Sequence, residues 1–251
     1  MSQSQSQSLS LSQSLQGARI LVVGGGSGIG FAVAQAAVAE GAEVVIASTN
    51  AGKLASAAER LGSVQSALLD LTNEAGVAAF FAGAGRFDHI VSTAGDWGKA
   101  RRGPFVEMDL DEAATLFGVR FWGAAKLAKH GAKALRPGGS LTLTSGMSAF
   151  RPQKGSVMAT AMSGSVEHLV YGLAVELAPL RVNGVFPGGV ATEIFQGLPE
   201  ATRQAEEARF ASQPLPRIGE PGEVAQAYLY LMKCGYVTGQ ILQVDGGGAL
   251  G

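Results

Sequence analysis

A doubly wound α/β domain, with a parallel sheet of about seven short strands and helices on both faces, is the fold class this sequence predicts. Three observations lead there. The stretch Ile20-Leu-Val-Val-Gly-Gly-Gly-Ser-Gly-Ile-Gly30 runs from a β-branched segment through a glycine loop into a helical pattern. Short apolar runs then alternate with helical periodicity to the end of the chain. Finally, 251 residues at 47% hydrophobic composition suit one domain with a substantial core.

The elements follow in order. Ala18–Val23 reads as the first strand, and Ile29–Glu40 as a helix with Ile29, Val33, Ala37 and Val38 inward. Glu43–Ala47 is a second strand, Gly52–Leu61 a helix, and Gln65–Leu69 a third strand ending at Asp70. Thr72 is expected to cap a helix through Phe81, and His89–Ser92 is the next strand. One long helix is expected over about Asp111–Leu135, stopped by Pro137-Gly-Gly139. Ser140–Thr144, Arg181–Phe186 and Gln240–Val244 complete the strands. Helices are expected over Val157–Leu177 and from Pro221 to about Lys233, with a polar, helix-prone segment at Leu198–Ala211. This is a Rossmann-type plan, and ligands gather at the carboxyl ends of such strands.

Residues 1–16 are a Ser/Gln repeat, expected to be a disordered tail ahead of a domain spanning 17–251. The repeat has neither the basic and apolar regions of a secretory signal nor the arginines of a mitochondrial presequence. Nineteen basic against twenty acidic residues give no field to draw nucleic acid or an anionic membrane. No apolar run approaches the roughly 20 residues a spanning helix needs. A single cysteine, Cys234, fits a reducing compartment, so a cytoplasmic protein is expected. The three histidines, at 89, 130 and 168, are scattered and predict no metal site.

The loop Gly24, Gly26, Ser27, Gly28, Ile29 and Gly30 has the composition of a seat for a dinucleotide pyrophosphate. Glycines let the backbone approach the phosphates, and the helix N-terminus presents free N–H groups with a partial positive charge.

With the segments after each strand aligned, the chain resembles the short-chain dehydrogenase/reductase family from about Gly17 to Gly251. The glycine loop is similar to that family's G-x-x-x-G-x-G. Asp70-Leu71 looks like its adenine-contacting pair, and Ser92-Thr93-Ala94-Gly95 stands where Asn-Asn-Ala-Gly is usual. The loop Phe186-Pro187-Gly188-Gly-Val190-Ala-Thr192 is similar to the one that holds the nicotinamide end. Arg217–Ala225 and Thr238–Gly247 resemble the C-terminal signature of tetrameric members, which implies a homotetramer. The resemblance also implies a nicotinamide cofactor and a small-molecule substrate. At the end of the second strand, Ser48, Thr49 and Asn50 include no carboxylate to take the ribose hydroxyls, which favours NADP(H) over NAD(H).

The catalytic half departs from the family. Active members usually carry Tyr-x-x-x-Lys, the Tyr giving its proton to the substrate oxygen and the Lys lowering the Tyr pKa. Here those positions fall on Ala159 and Ser163, and no Tyr-x-x-x-Lys occurs anywhere in the chain. Tyr171, on the same helix, lies about 18 Å along the axis from Ala159 and cannot substitute. The family's Asn maps to Arg120, and its Ser to Gly146 or, with a one-residue loop shift, to Ser145. Arg120, Ser145 and Ser163 are therefore the candidates for a rebuilt site. Lys154, Asp96, Lys99, Arg101 and Arg102 are further polar residues nearby in the sequence. Phe195, Leu198 and Phe210 are expected to form a partly apolar lid. Three functions stay open: an NADP(H)-dependent oxidoreductase with an altered site, a non-catalytic dinucleotide-binding protein, and a non-redox enzyme such as a cyclase, isomerase or lyase.

Overall fold

In the computed structural model, residues 14–62, 64–95 and 103–250 are described. Seven parallel strands stand in the order β3-β2-β1-β4-β5-β6-β7. They are β1 (Arg19–Val23), β2 (Glu43–Ser48), β3 (Gln65–Leu68), β4 (Phe87–Ser92), β5 (Leu135–Thr144), β6 (Arg181–Pro187) and β7 (Ile241–Val244). The order reverses between β1 and β4, which pair directly, Val23 opposite Ser92. That reversal opens a crevice above the sheet.

Strand side chains alternate between two cores. Ile20 and Val22 of β1 join Val44 and Ile46 of β2 on one face, beneath α1 (Gly28–Ala39), α2 (Ala51–Leu61) and α9 (Pro221–Lys233). Leu21 and Val23 join Val45 and Ala47 on the other face. There they meet α3 (Glu74–Gly83), α5 (Ala124–Gly131) and α6 (Val157–Glu176). Burial on both faces is why the strands read as continuous apolar runs. The start of α9 is fixed by Pro221 at its first turn and by a capping box between Glu220 and Glu223. Arg217 and the Glu220 N–H hold the Glu223 carboxyl down at about 2.

Several expectations need correction. The helix expected over Asp111–Leu135 is broken into α4 (Leu110–Ala114), a π-helical turn over Gly118–Gly123, and α5. The π turn coincides with two glycines, and a Cβ on Gly123 would lie 2.8 Å from Leu71 Cβ. Its extra residue shifts the helix face at Arg120, the kind of irregularity that often marks functional sites. The cap of α3 is Asn73, whose side chain accepts from Gly76 N–H, and not Thr72. The helix-prone segment expected at Leu198–Ala211 forms as α8 (Glu200–Ala211), preceded by a short α7 (Glu193–Gln196) that the sequence reading did not give.

The boundary at residue 17 also moves. Leu15 is fully buried in the core, and its carbonyl accepts from Ala18 N–H. The folded domain therefore takes in Leu15 and Gln16, residues the Ser/Gln pattern assigned to the tail. Ser14 is exposed, and residues 1–13 of the expected tail lie outside the described residues.

Candidate active site

The crevice above the β1–β4 reversal is a single cavity of about 1050 Å³. At its floor, β1 ends at Val23, and Gly24 (φ +89°) and Gly28 (φ +53°) adopt left-handed conformations that favour glycine. A Cβ on Gly30 would sit 2.2 Å from the Gly24 carbonyl oxygen. Thr93 locks the loop to β4, its N–H and hydroxyl both donating to the Val23 carbonyl. Ser27 stands at the N-cap of α1 without a side-chain cap bond. The first-turn N–H groups of a 12-residue helix are thus left for a ligand in the crevice.

Gly24, Ser27, Gly28, Ile29 and Gly30 line this cavity together with Thr93, Ala94 and Gly95. Gly26 does not line it. A Cβ there would meet Lys53 Cβ at 3.3 Å, so Gly26 is where α2 packs on the glycine loop.

Ser48, Thr49, Asn50, Asp70 and Leu71 line one end of the cavity. Asn50 caps α2, its Oδ1 accepting from Lys53 N–H at 2.9 Å, and its own N–H donates to Ser48 Oγ. Asp70 Oδ1 accepts from the N–H and hydroxyl of Thr72, which hold its carboxyl below the ordinary carboxylate range. The other Asp70 oxygen accepts no bond that the structure shows. The ammonium of Lys53, also on this wall, pairs with Glu193 at 2.8 Å.

The opposite end carries the positions that the sequence reading aligned with the family's catalytic residues. Arg120, Ser145, Gly146, Ala159 and Ser163 all line the cavity. The Arg120 guanidinium lies flush on Gly95, where a Cβ would stand 2.5 Å from Cζ. Ser145 closes β5, its N–H donating to the Val185 carbonyl, and its hydroxyl is buried with no partner among the described residues. The backbone of Gly146 turns toward Ser163, 4.0 Å from a Cβ placed there.

Ser163 does not bond its own helix. Ser148 donates to the Ala159 carbonyl, so its oxygen accepts from Ser163 at 2.7 Å. Beneath this end, Thr144 donates to the Ser92 carbonyl and Tyr228 donates to Thr144, each at 2.6 Å. Tyr228 is fully buried, and burial raises its hydroxyl pKa. Tyr171 is far from all of this, half-exposed and donating to Glu167, which pushes its hydroxyl up to about 12.

Pro187, Gly188, Val190 and Thr192 form the remaining wall, after β6. Gly188 N–H donates to Val244 at 3.0 Å, and Val190 bridges to Gly219. Phe195 of α7, Leu198 of the connection and Phe210 of α8 line the cavity. Phe210 is also a packing residue, its ring filling the place of a side chain on Gly189.

Sequence reasoning singled out neither Lys53 nor Arg151 nor the pair Arg209–Glu206, all on the cavity wall. Arg151 donates to the Gly248 carbonyl, tying this wall to the chain's end. Ser148 also lines the wall, in the segment just past β5 that the strand order marks as part of the site. Lys154 is exposed and is not on the wall. Asp96, Lys99, Arg101 and Arg102 lie outside the described residues. Among the described residues no three His, Cys, Asp or Glu side chains gather as a metal site would need, and no helix is long and apolar enough to cross a membrane.

The site fits a dinucleotide. Its glycine loop admits no side chain at Gly24 or Gly30, its helix N-terminus is uncapped by Ser27, and the crevice continues from Asp70 to Pro187. Residues 23–248 match the family model described as enoyl-(acyl carrier protein) reductase. The short-chain dehydrogenase/reductase malC of Malbranchea aurantiaca is 36% identical, over 92% of this chain and 94% of that protein. Galactitol 2-dehydrogenase of Cereibacter sphaeroides is 34% identical, over 92% and 94%. The solved structure of the MalC reductase/Diels-Alderase superposes with a TM-score of 0.87, covering 96% of this chain and 99% of that one. A small-chain dehydrogenase in complex with NADPH, 35% identical, superposes at 0.81 over 94% and 100%. Sheet order, crevice and these likenesses agree: the chain belongs to the short-chain dehydrogenase/reductase family.

Proposed function

We propose that this protein is an NADP(H)-dependent oxidoreductase with a rebuilt active site, acting on a carbonyl or alcohol group of a small molecule. The observation that carries this reading is the buried, unpartnered hydroxyl of Ser145 in the same cavity as the glycine loop and Arg120. The absence of a carboxylate at Ser48–Asn50 and the NADPH complex of a 35% identical relative support NADP(H).

When bound, the nicotinamide supplies or takes a hydride. The residues here orient and polarise. Ser145 donates its hydroxyl proton in a hydrogen bond to the substrate oxygen, which satisfies an otherwise orphaned group. The Arg120 guanidinium stabilises negative charge developing on that oxygen but does not give up a proton at neutral pH. Ser163, committed to Ser148, shapes the wall, and the proton reaches the product from water. Losing the Tyr general acid lowers the rate by roughly 10²–10⁴, whereas the proximity contribution remains.

A second reading has its own support. MalC is described as a reductase/Diels-Alderase. A pocket with Ala159 and Gly146 in place of proton-donating side chains suits a ring closure, which needs shape and polarisation and no proton donor.

Calorimetric titration with NADPH, NADP⁺, NADH and NAD⁺ is the first test. Tight binding of NADPH or NADP⁺ followed by turnover of a carbonyl panel supports the oxidoreductase. Binding without turnover turns the reading to a sensor, and no binding of any turns it to non-redox chemistry. The same reading includes a cytoplasmic homotetramer, which a monomeric mass by light scattering would overturn.

A further inference from the structure

The ion pair between Lys53 and Glu193 joins two parts of the cavity that serve different purposes. Lys53 belongs to the first turn of α2, beside Ser48, Thr49 and Asn50. Glu193 opens α7, the segment that carries Phe195 onto the cavity wall. The two side chains meet at 2.8 Å, and both line the cavity.

Lys53 is well placed to be read by a ligand. Its backbone is fixed by the Asn50 cap, and its stem starts against Gly26, so the ammonium has a defined origin beside the glycine loop. Arg120, Arg151 and Arg209 are the other cations on the described cavity wall, and they belong to the π turn before α5, the β5–α6 loop and α8. At the Ser48–Asn50 end, Lys53 is the cation among the described residues lining the cavity.

We propose that Lys53 exchanges partners: a 2′-phosphate on the adenosine ribose takes its ammonium from Glu193, and this releases α7. The inference rests on the dinucleotide reading above and adds to it a specificity residue and its coupling to the lid. The chemistry is a competition. A 2′-phosphate brings about two negative charges to Lys53, against the single charge of Glu193. A ribose with two hydroxyls does not displace a carboxylate from an ammonium, so NAD(H) leaves the pair intact. Cofactor choice and lid position are thereby set by one side chain.

The test uses the full chain, with Lys53→Gln and Glu193→Gln, and calorimetry with NADPH, NADH, 2′,5′-ADP and ADP. Both side chains are about half exposed, and an unchanged thermal midpoint verifies the fold. Lys53→Gln is expected to weaken NADPH and 2′,5′-ADP by about tenfold or more, with NADH and ADP nearly unchanged. Glu193→Gln, which removes the competitor, is expected to tighten NADPH by about threefold.

Amide exchange supplies a second readout. Because 2′,5′-ADP does not reach the nicotinamide end, faster exchange over residues 193–198 with 2′,5′-ADP than with ADP reports release of α7. Equal exchange with the two nucleotides overturns the coupling. An unaltered NADPH-to-NADH preference in Lys53→Gln overturns the specificity role while the dinucleotide reading stands. Failure of the unmodified protein to bind NADPH or NADP⁺ removes that reading, and this inference with it.

Discussion

The hydroxyls of Ser148 and Ser163 are hydrogen-bonded at 2.7 Å, and Ser163 stands where the family resemblance implies a lysine. One serine there is already satisfied by another, and four residues earlier Ala159 offers no proton. Reinstating the pair as Ala159→Tyr with Ser163→Lys should raise carbonyl reduction by about 10²-fold, the lower range for a restored general acid. NADPH consumption against a panel of small ketones and aldehydes measures it. An unchanged rate would mean that bound carbonyls do not come within reach of position 159.

Ser145 offers a cleaner separation of activity from stability. Its buried hydroxyl has no partner among the described residues, so Ser145→Ala removes an unsatisfied group and should change stability by less than about 1 kcal/mol. Turnover should fall about tenfold or more if the hydroxyl meets the substrate oxygen. Urea melts beside steady-state kinetics give both numbers.

Gly30→Ala should act on stability and cofactor together. The added Cβ would stand 2.2 Å from one backbone oxygen and 2.4 Å from Thr93 Oγ1, so the glycine loop must shift. A loss of about 2–4 kcal/mol is expected in chemical denaturation, with dinucleotide binding abolished.

Below the site, Tyr228→Phe should cost about 1–2 kcal/mol by removing the donor to Thr144. The Thr144 bond to the Ser92 carbonyl survives, so the domain still folds, and the difference is read from paired urea melts.

His89 makes stability depend on pH. It is partly buried beside Ser140, and desolvation, helped by the Arg181 charge, lowers its pKa from 6.5 to about 4. The unfolded chain then binds more protons between those values, so stability rises with pH across that window and is lost as pH falls from about 6.5 toward 4. The full effect is about 3 kcal/mol. His89→Asn should flatten that part of the curve, measured as unfolding free energy at pH 4.5 and 7.

Much of this was legible in the chain. Strands buried on both faces announce themselves as apolar runs, and β1, β2 and β6 fell within a residue or two of their expected spans. The glycine loop was legible because only glycine fits positions such as Gly24 and Gly30. Tertiary contacts were not. The break in the helix expected over Asp111–Leu135 follows from Leu71 pressing on Gly123, a contact between residues distant in sequence. Leu15 was masked by its Ser/Gln surroundings, although one leucine suffices to anchor a segment when the core has room. The partners of Ser163 and Lys53 were invisible for the same reason, since Ser148 and Glu193 reach them only through the fold.

The contact of Arg120 with Gly95 makes the two positions a single mutational unit. The guanidinium is the mobile end of a long side chain, so a methyl group at 95 would turn it aside without breaking the fold. Gly95→Ala should therefore reproduce the phenotype of Arg120→Ala, and adding it to Arg120→Ala should cost nothing further. A lineage that replaces the glycine displaces the arginine in the same step, so once either residue has changed the other is released from constraint.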